Sequence, residues 1–360
     1  MRILAVELVV IGHGIAFFQI APILQPPSIP YLQNMGVVIL FIVSGFLILY
    51  TTLNKMEKRP GYSFREFFID RFSRIYIGLF AALAFIVIID LIAMRVSPSS
   101  YNYYGAFNIT TFAGNLLQLQ DYPIPASVVT DFGLSGTILN VTSFGSGRPL
   151  WTLAVEWWIY MSFGWLLLKK RIKIGSWAYY PILLFFSIVP LYNLLGGRGR
   201  GLTLTWLMGV FALFLIKRQL KVPKRILPIA ALSSCLLGVL SVQFIGFTPY
   251  NFAFPFFIAL ALLFAVLWLD GLKSEVKPLL RRMLRFGAGY SFTLFLIHYS
   301  IYSLIVIFMN DGVSPWLLFL TSFLIANVMA ALIAHFGETR YKTFSSFLKR
   351  HLLHPRSDAR

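Results

Sequence analysis

Inside the apolar stretches of this 360-residue chain few side chains can ionise: Glu7 and His13 in the first stretch, Glu156 in the fourth and His298 in the ninth, with Asp90 and His335 near stretch ends. A charge held in hydrocarbon is expensive, so each of these is a candidate for function. Arg2 and His13 are eleven positions apart. Eleven steps of ~100° come to about 1100°, roughly 20° past three turns, so a helix puts both on one face with His13 ~16 Å deeper. That depth is near or just beyond the middle of a bilayer. Two roles fit: Arg2 anchors the helix end while His13 makes one interhelical hydrogen bond, or both serve a reaction. Glu156 follows Pro149 by seven positions on a helix entering from the opposite face, ~10 Å below it. A carboxylate there has to be protonated, paired or in a wet cavity, and a glutamine would make a structural hydrogen bond more cheaply. His298 lies eleven positions after Gly287, again ~16 Å deep. Three polar side chains from three stretches thus fall at one level, either by chance placement or as a centre for proton transfer or ion translocation.

Arg71 and Arg74, three positions apart, form a second candidate constellation. They close a segment, Tyr62 to Ile75, that reads as an interfacial helix with Phe64, Phe68, Phe72 and Ile75 at helical spacing. Neighbouring guanidinium groups suit a phosphate better than lysines do, and they equally suit anchoring at a membrane surface.

The elements that must hold these groups are membrane helices. Hydrophobic residues make up 58% of the chain and charged residues 12%, against about 45–50% and 25% in soluble domains, which excludes soluble and disordered classes. Ten stretches are long enough to span hydrocarbon: 3–22, 34–53, 75–94, 149–168, 177–195, 202–216, 226–246, 252–270, 288–309 and 315–335. With ten crossings, all but four of the 31 Lys and Arg fall on the side of the termini, the exceptions being Arg95, Arg148, Arg198 and Arg200. The positive-inside rule then puts both termini in the cytoplasm. A net charge of +18 spread over every inner loop argues against a nucleic-acid patch. The first stretch lacks the cleavage pattern of a signal peptide, and no internal repeat is visible. The lone Cys235 lies in an apolar run and allows no intrachain disulfide. Residues 95–148 form a long outer segment, in which Thr110 to Leu119 reads as a short amphipathic helix and Tyr101, Tyr103 and Tyr104 as an interfacial belt or a sugar-stacking surface.

Five motifs follow in order along the chain: Arg2 with His13, Leu40-Phe41-Ile42-Val43-Ser44-Gly45-Phe46-Leu47-Ile48, Arg71-Phe72-Ser73-Arg74-Ile75-Tyr76, Leu150-Trp151-Thr152-Leu153-Ala154-Val155-Glu156 and Ser291-Phe292-Thr293-Leu294-Phe295-Leu296-Ile297-His298. Together they resemble the acyltransferase 3 family of membrane proteins. The proline common after the arginine pair is replaced by Ile77 and Gly78, and Trp157 and Trp158 stand where more polar residues often follow the glutamate.

The resemblance implies an all-α polytopic domain over 1–340 with a basic cytoplasmic tail over 341–360, in a bacterial cytoplasmic membrane. It implies transfer of an acyl group, usually acetyl, from cytoplasmic acyl-CoA to a hydroxyl of a surface polysaccharide or lipid-linked sugar at the outer face. His13 is then the catalytic base or transient acyl carrier, Glu156 or His298 orients or discharges it, and Arg71 and Arg74 hold donor phosphates. Arg2, three turns from His13, is assigned to donor phosphate or helix placement. No metal and no nucleic acid is expected. The alternative from another class is a glycan flippase or proton-coupled carrier.

Overall fold

The computed structural model describes residues 1–120, 122–123, 141–196, 199–218, 222–245, 250, 252–271, 277–307 and 312–353. Among these the regular structure is helical, with no strand. Ten helices coincide with the ten expected spans: α1 (Arg2–Phe18), α2 (Leu32–Lys58), α3 (Phe64–Val96), α5 (Leu150–Leu167), α6 (Ser176–Leu195), α7 (Leu202–Lys217), α8 (Leu227–Ile245), α9 (Ala253–Gly271), α10 (Pro278–Ile307) and α11 (Pro315–Phe336). Two short helices, α4 (Ile109–Leu116) and α12 (Tyr341–Leu352), complete the set. Seven of the ten, all but α1, α5 and α7, are long and apolar enough to cross a membrane. α1 and α7 have 17 and 16 residues, while α5 loses hydropathy to its tryptophans, Thr152 and Glu156. The chain is an all-α polytopic membrane protein.

The helix expected over Tyr62 to Ile75 is not separate. It is the opening of α3, which runs 33 residues from Ser63, whose side chain accepts the Glu66 N–H while Glu66 accepts the Ser63 N–H. Nothing between Ile75 and Val96 breaks a helix except Gly78, which costs only about 1 kcal/mol. α1 stops at Phe18, short of the expected residue 22, because Gln19 and Ala21 take φ of 52° and 45° ahead of Pro22.

Two compact units divide the chain. The first comprises Met1–Asn54, Asn193–Ala288 and Ser314–Phe319. Its core is Val38 and Ile42 of α2, Val242 of α8, and Phe254, Ile258 and Ala259 of α9. In this unit α2 and α7 touch backbone to backbone: a Cβ on Gly45 would collide with the Trp206 carbonyl, and one on Gly209 with the Ile42 carbonyl. Small residues permit this approach, and van der Waals packing then replaces the hydrophobic drive that lipid does not provide. Trp206 is fully buried and donates its indole N–H to Ser44 Oγ at 3.2 Å. The Ser44-Gly45 motif is thus a packing seam.

The second unit comprises Lys55–Tyr192, Gly289–Val313 and Leu320–Arg360. Near its basic end Asp70 accepts from Lys55 and Lys349 at 2.6 Å each, from Tyr62 at 3.0 Å and from Ser345 at 3.1 Å, fastening α12 to α3. Burial and the Asp70 carboxylate push the Tyr62 phenol well above its ordinary pKa, so it stays a donor. Arg171 donates to the carbonyls of Met56, Arg59 and Tyr62 at 3.2–3.4 Å, satisfying acceptors at and just beyond the end of α2.

The outer segment is tied down by side-chain hydrogen bonds. Asn115, buried on α4, donates to the carbonyls of Thr111 and Thr142 and accepts from Gln120 and the Phe144 N–H. Asp90 accepts the Ser146 N–H at 2.9 Å, beside Gly145, whose φ of 51° and contact with that carboxylate leave no room for a side chain. The amphipathic helix expected over Thr110 to Leu119 is α4, ending earlier because Gln118 turns to φ 57°. Tyr101 is buried edge-on against Tyr103 and Tyr104, whereas Tyr104 is exposed and donates to the Pro98 carbonyl. Expectations resting on 124–140 lie outside the described residues.

Candidate active site

The α5 sequence from Leu150 to Ser162 is buried at every position except Glu156, which keeps partial exposure. On a helix this apolar, open space beside one carboxylate is a place where water or a substrate group can reach it. Tyr160, one turn on, donates its hydroxyl to Glu156 Oε1. A phenol donating to a carboxylate fixes its rotamer. The indole of Trp158 donates to the Gln118 carbonyl at 2.7 Å, so the outer segment is pinned two positions from the carboxylate.

His298 has no exposed surface. Its Nδ1 lies 3.0 Å from the Leu294 carbonyl, one turn back on α10. A carbonyl only accepts, so Nδ1 carries a proton and donates it there. Tyr302 stands edge-on to the imidazole at 6.0 Å.

In the first unit α1 is unbroken from Arg2 through His13, so the two do share a face. His13 is half-buried between the buried Gly12 and Gly14. Arg2 lines a cavity of about 260 Å³, otherwise apolar, formed with Ile42, Phe46, Ala212, Ala259 and Leu263.

The two arginines of α3 diverge. Arg74 Nη2 donates to Glu338 Oε1 at 2.9 Å, and its guanidinium lies 4.7 Å from the centre of the Tyr341 ring. Arg71 instead sits over Phe67 at 5.7 Å, with a buried Nε that has no hydrogen-bond partner among the described residues. An orphaned charged donor of this kind is costly unless a ligand or water completes it.

A family model described as an acyltransferase domain, that of the acyltransferase 3 family, matches residues 1–335. The chain belongs to that family. No curated protein matches it significantly, and neither does any solved structure. The protein is therefore a membrane acyltransferase.

In this acyltransferase Arg2 and His13 belong to the first unit, and Arg71, Arg74, Glu156 and His298 to the second. The sequence reading missed three residues that hold the second unit in order. Glu338 is buried and accepts from Arg74 and Thr293. In the sequence Asn115 is one polar residue of the expected loop helix and Arg171 one basic residue among many. Glu338 alone had a signal: it is the one acidic residue between the tenth span and the tail's basic run.

Proposed function

We propose that the protein transfers an acyl group, acetyl in the simplest case, from cytoplasmic acyl-CoA to a hydroxyl of a surface polysaccharide or lipid-linked sugar at the outer face. The observation that carries this reading is Glu156, the one open position on an otherwise buried stretch of α5, bonded to Tyr160. A transporter needs a passage, whereas an acyltransferase needs an isolated proton-handling group reachable by a hydroxyl. The distribution of Lys and Arg supports cytoplasmic termini and thus a donor entering from that side.

The roles follow from the chemistry. Arg71 takes a donor phosphate, which completes its unpartnered Nε, and Arg74 contributes from its place beside Glu338. His13 accepts the proton of the acceptor hydroxyl as that oxygen attacks the thioester carbon. The carbon–sulfur bond breaks, the CoA thiolate takes the proton from the imidazolium, and the products are the ester and free CoA. In the covalent variant the imidazole itself attacks the thioester carbon and the carbon–sulfur bond breaks, CoA leaving with the ring proton; the hydroxyl then attacks the acyl-imidazole and its proton returns to the freed imidazole. Glu156 holds or returns a proton in the same reaction, and His298 acts through neighbouring groups.

Acceptor-dependent release of CoA from acetyl-CoA by protein reconstituted in vesicles tests the reading, with a mass comparison of surface glycans from cells with and without the protein. His13→Ala should lower transfer by about 10²- to 10⁴-fold while CoA binding and membrane abundance hold. Transfer within a few-fold of the parent overturns the histidine assignment. Glycans of unchanged mass, with no CoA released, overturn the function.

A further inference from the structure

Glu338 is 1% exposed and lies in the short 3-10 turn Glu338–Arg340 between α11 and α12. Both of its oxygens are used. Oε1 accepts from Arg74 Nη2 at 2.9 Å, and Oε2 accepts from the Thr293 N–H at 3.0 Å and the Thr293 hydroxyl at 3.1 Å. Thr293 is fully buried and lies on α10 five positions before His298. A carboxylate taken out of water is tolerated only when its lone pairs are met, and here one charged and two neutral donors meet them.

On the other side of the pair, Arg74 is clamped between Glu338 and the face of Tyr341. A guanidinium is a rigid planar fork, so fixing Nη2 and one face fixes the direction of all its donors. The turn carrying Glu338 thereby joins the arginine motif of α3 to the histidine segment of α10.

We propose that Glu338 is a positioning residue for donor binding: it sets the Arg74 guanidinium for a donor phosphate and, through Thr293, ties that guanidinium to the α10 segment bearing His298. This rests on the acyl-CoA reading above. A merely structural Glu338 predicts loss of stability alone; a positioning residue predicts a change in donor affinity that passes through Arg74.

The test is CoA binding by calorimetry in nanodiscs, together with donor KM and kcat, for the parent, Glu338→Gln, Thr293→Val, Arg74→Ala and the double variant Glu338→Gln/Arg74→Ala. Glu338→Gln keeps the shape and removes the charge, and should weaken CoA binding and raise donor KM about tenfold, as for a lost charge-assisted contact, with kcat changed less than threefold. Thr293→Val, which spares the ion pair but removes one neutral hydrogen bond from Glu338, should raise donor KM about threefold, less than Glu338→Gln does. The double variant should bind CoA no more weakly than Arg74→Ala alone. CoA affinity of Glu338→Gln within twofold of the parent, with only thermal stability lost, overturns the positioning role. Additive losses in the double variant overturn the route through Arg74. If Glu338→Gln does not fold, Glu338→Asp keeps the charge one methylene short, and an unchanged donor KM there overturns the role as well. A parent protein that binds no CoA overturns the donor reading itself.

Discussion

Tyr160 donates its hydroxyl to Glu156 Oε1 across one turn of α5, and Glu156 is the only position from Leu150 to Ser162 that is not buried. The pair is internal to one helix, so it survives any rearrangement of the surrounding bundle that leaves α5 intact. It also separates two properties of the carboxylate, its charge and its orientation. Glu156→Gln should reduce transfer by at least a hundredfold with membrane abundance preserved, whereas Tyr160→Phe, which removes only the orienting donor, should cost about tenfold, in keeping with one hydrogen bond to a charged group. Initial rates of CoA release at matched protein levels measure both. Equal effects of the two variants would show that the carboxylate works through its rotamer.

Arg71 and Arg74 are a turn apart but have different partners, and substitution should separate their proposed roles. Arg71→Ala should raise the donor KM by about tenfold or more with little change in kcat, since a phosphate contact made equally in ground and transition states is uniform binding. Arg71→Lys should recover only part of the loss, for want of Nε and the planar fork. An Arg71→Ala protein with parental CoA affinity and reduced abundance would assign Arg71 to membrane anchoring.

Sidedness follows from the charge distribution and is open to a labelling experiment. Cys235 is exposed on α8, so a Cys235→Ser background comes first. A cysteine at Ser99 should then react with a membrane-impermeant maleimide from outside, and one at Lys170 only after permeabilisation, as should tags at either end of the chain. External labelling at Lys170 would invert the topology and remove the argument for transfer across the membrane.

The seam between α2 and α7 predicts a defect of stability. Gly45→Leu places a side chain on the Trp206 carbonyl, and the two backbones cannot part without breaking the Trp206 to Ser44 hydrogen bond. Overpacking of this kind costs about 1–3 kcal/mol, occasionally more, and the variant should show a lowered unfolding temperature in detergent. Ser44→Ala leaves the seam closed and should cost about 1 kcal/mol. A Gly45→Leu protein as stable as the parent would mean the seam does not hold the first unit together.

What the sequence determined by itself was everything that depends on local hydropathy, local spacing and charge. Each of the ten expected apolar stretches meets a helix, because an apolar run in lipid has to satisfy its backbone internally whatever its neighbours are. The shared face of Arg2 and His13 holds because α1 has no breaker between them. The family was legible too, since its motifs are short runs of residues. Tertiary structure alone decided which of these polar groups is open and which is committed. Glu156 and His298 look alike in sequence, each a lone ionisable group in an apolar helix, yet one keeps exposed surface and the other has none. Arg71 and Arg74 look like a matched pair until Glu338, 264 positions after Arg74, engages one of them. Asn115 holds Phe144 from 29 positions away, and Arg171 holds the region just after α2 from more than a hundred. Such contacts carry no periodicity and no hydropathy signal. They exist only once packing excludes water and each buried donor or acceptor has to find its partner within the protein.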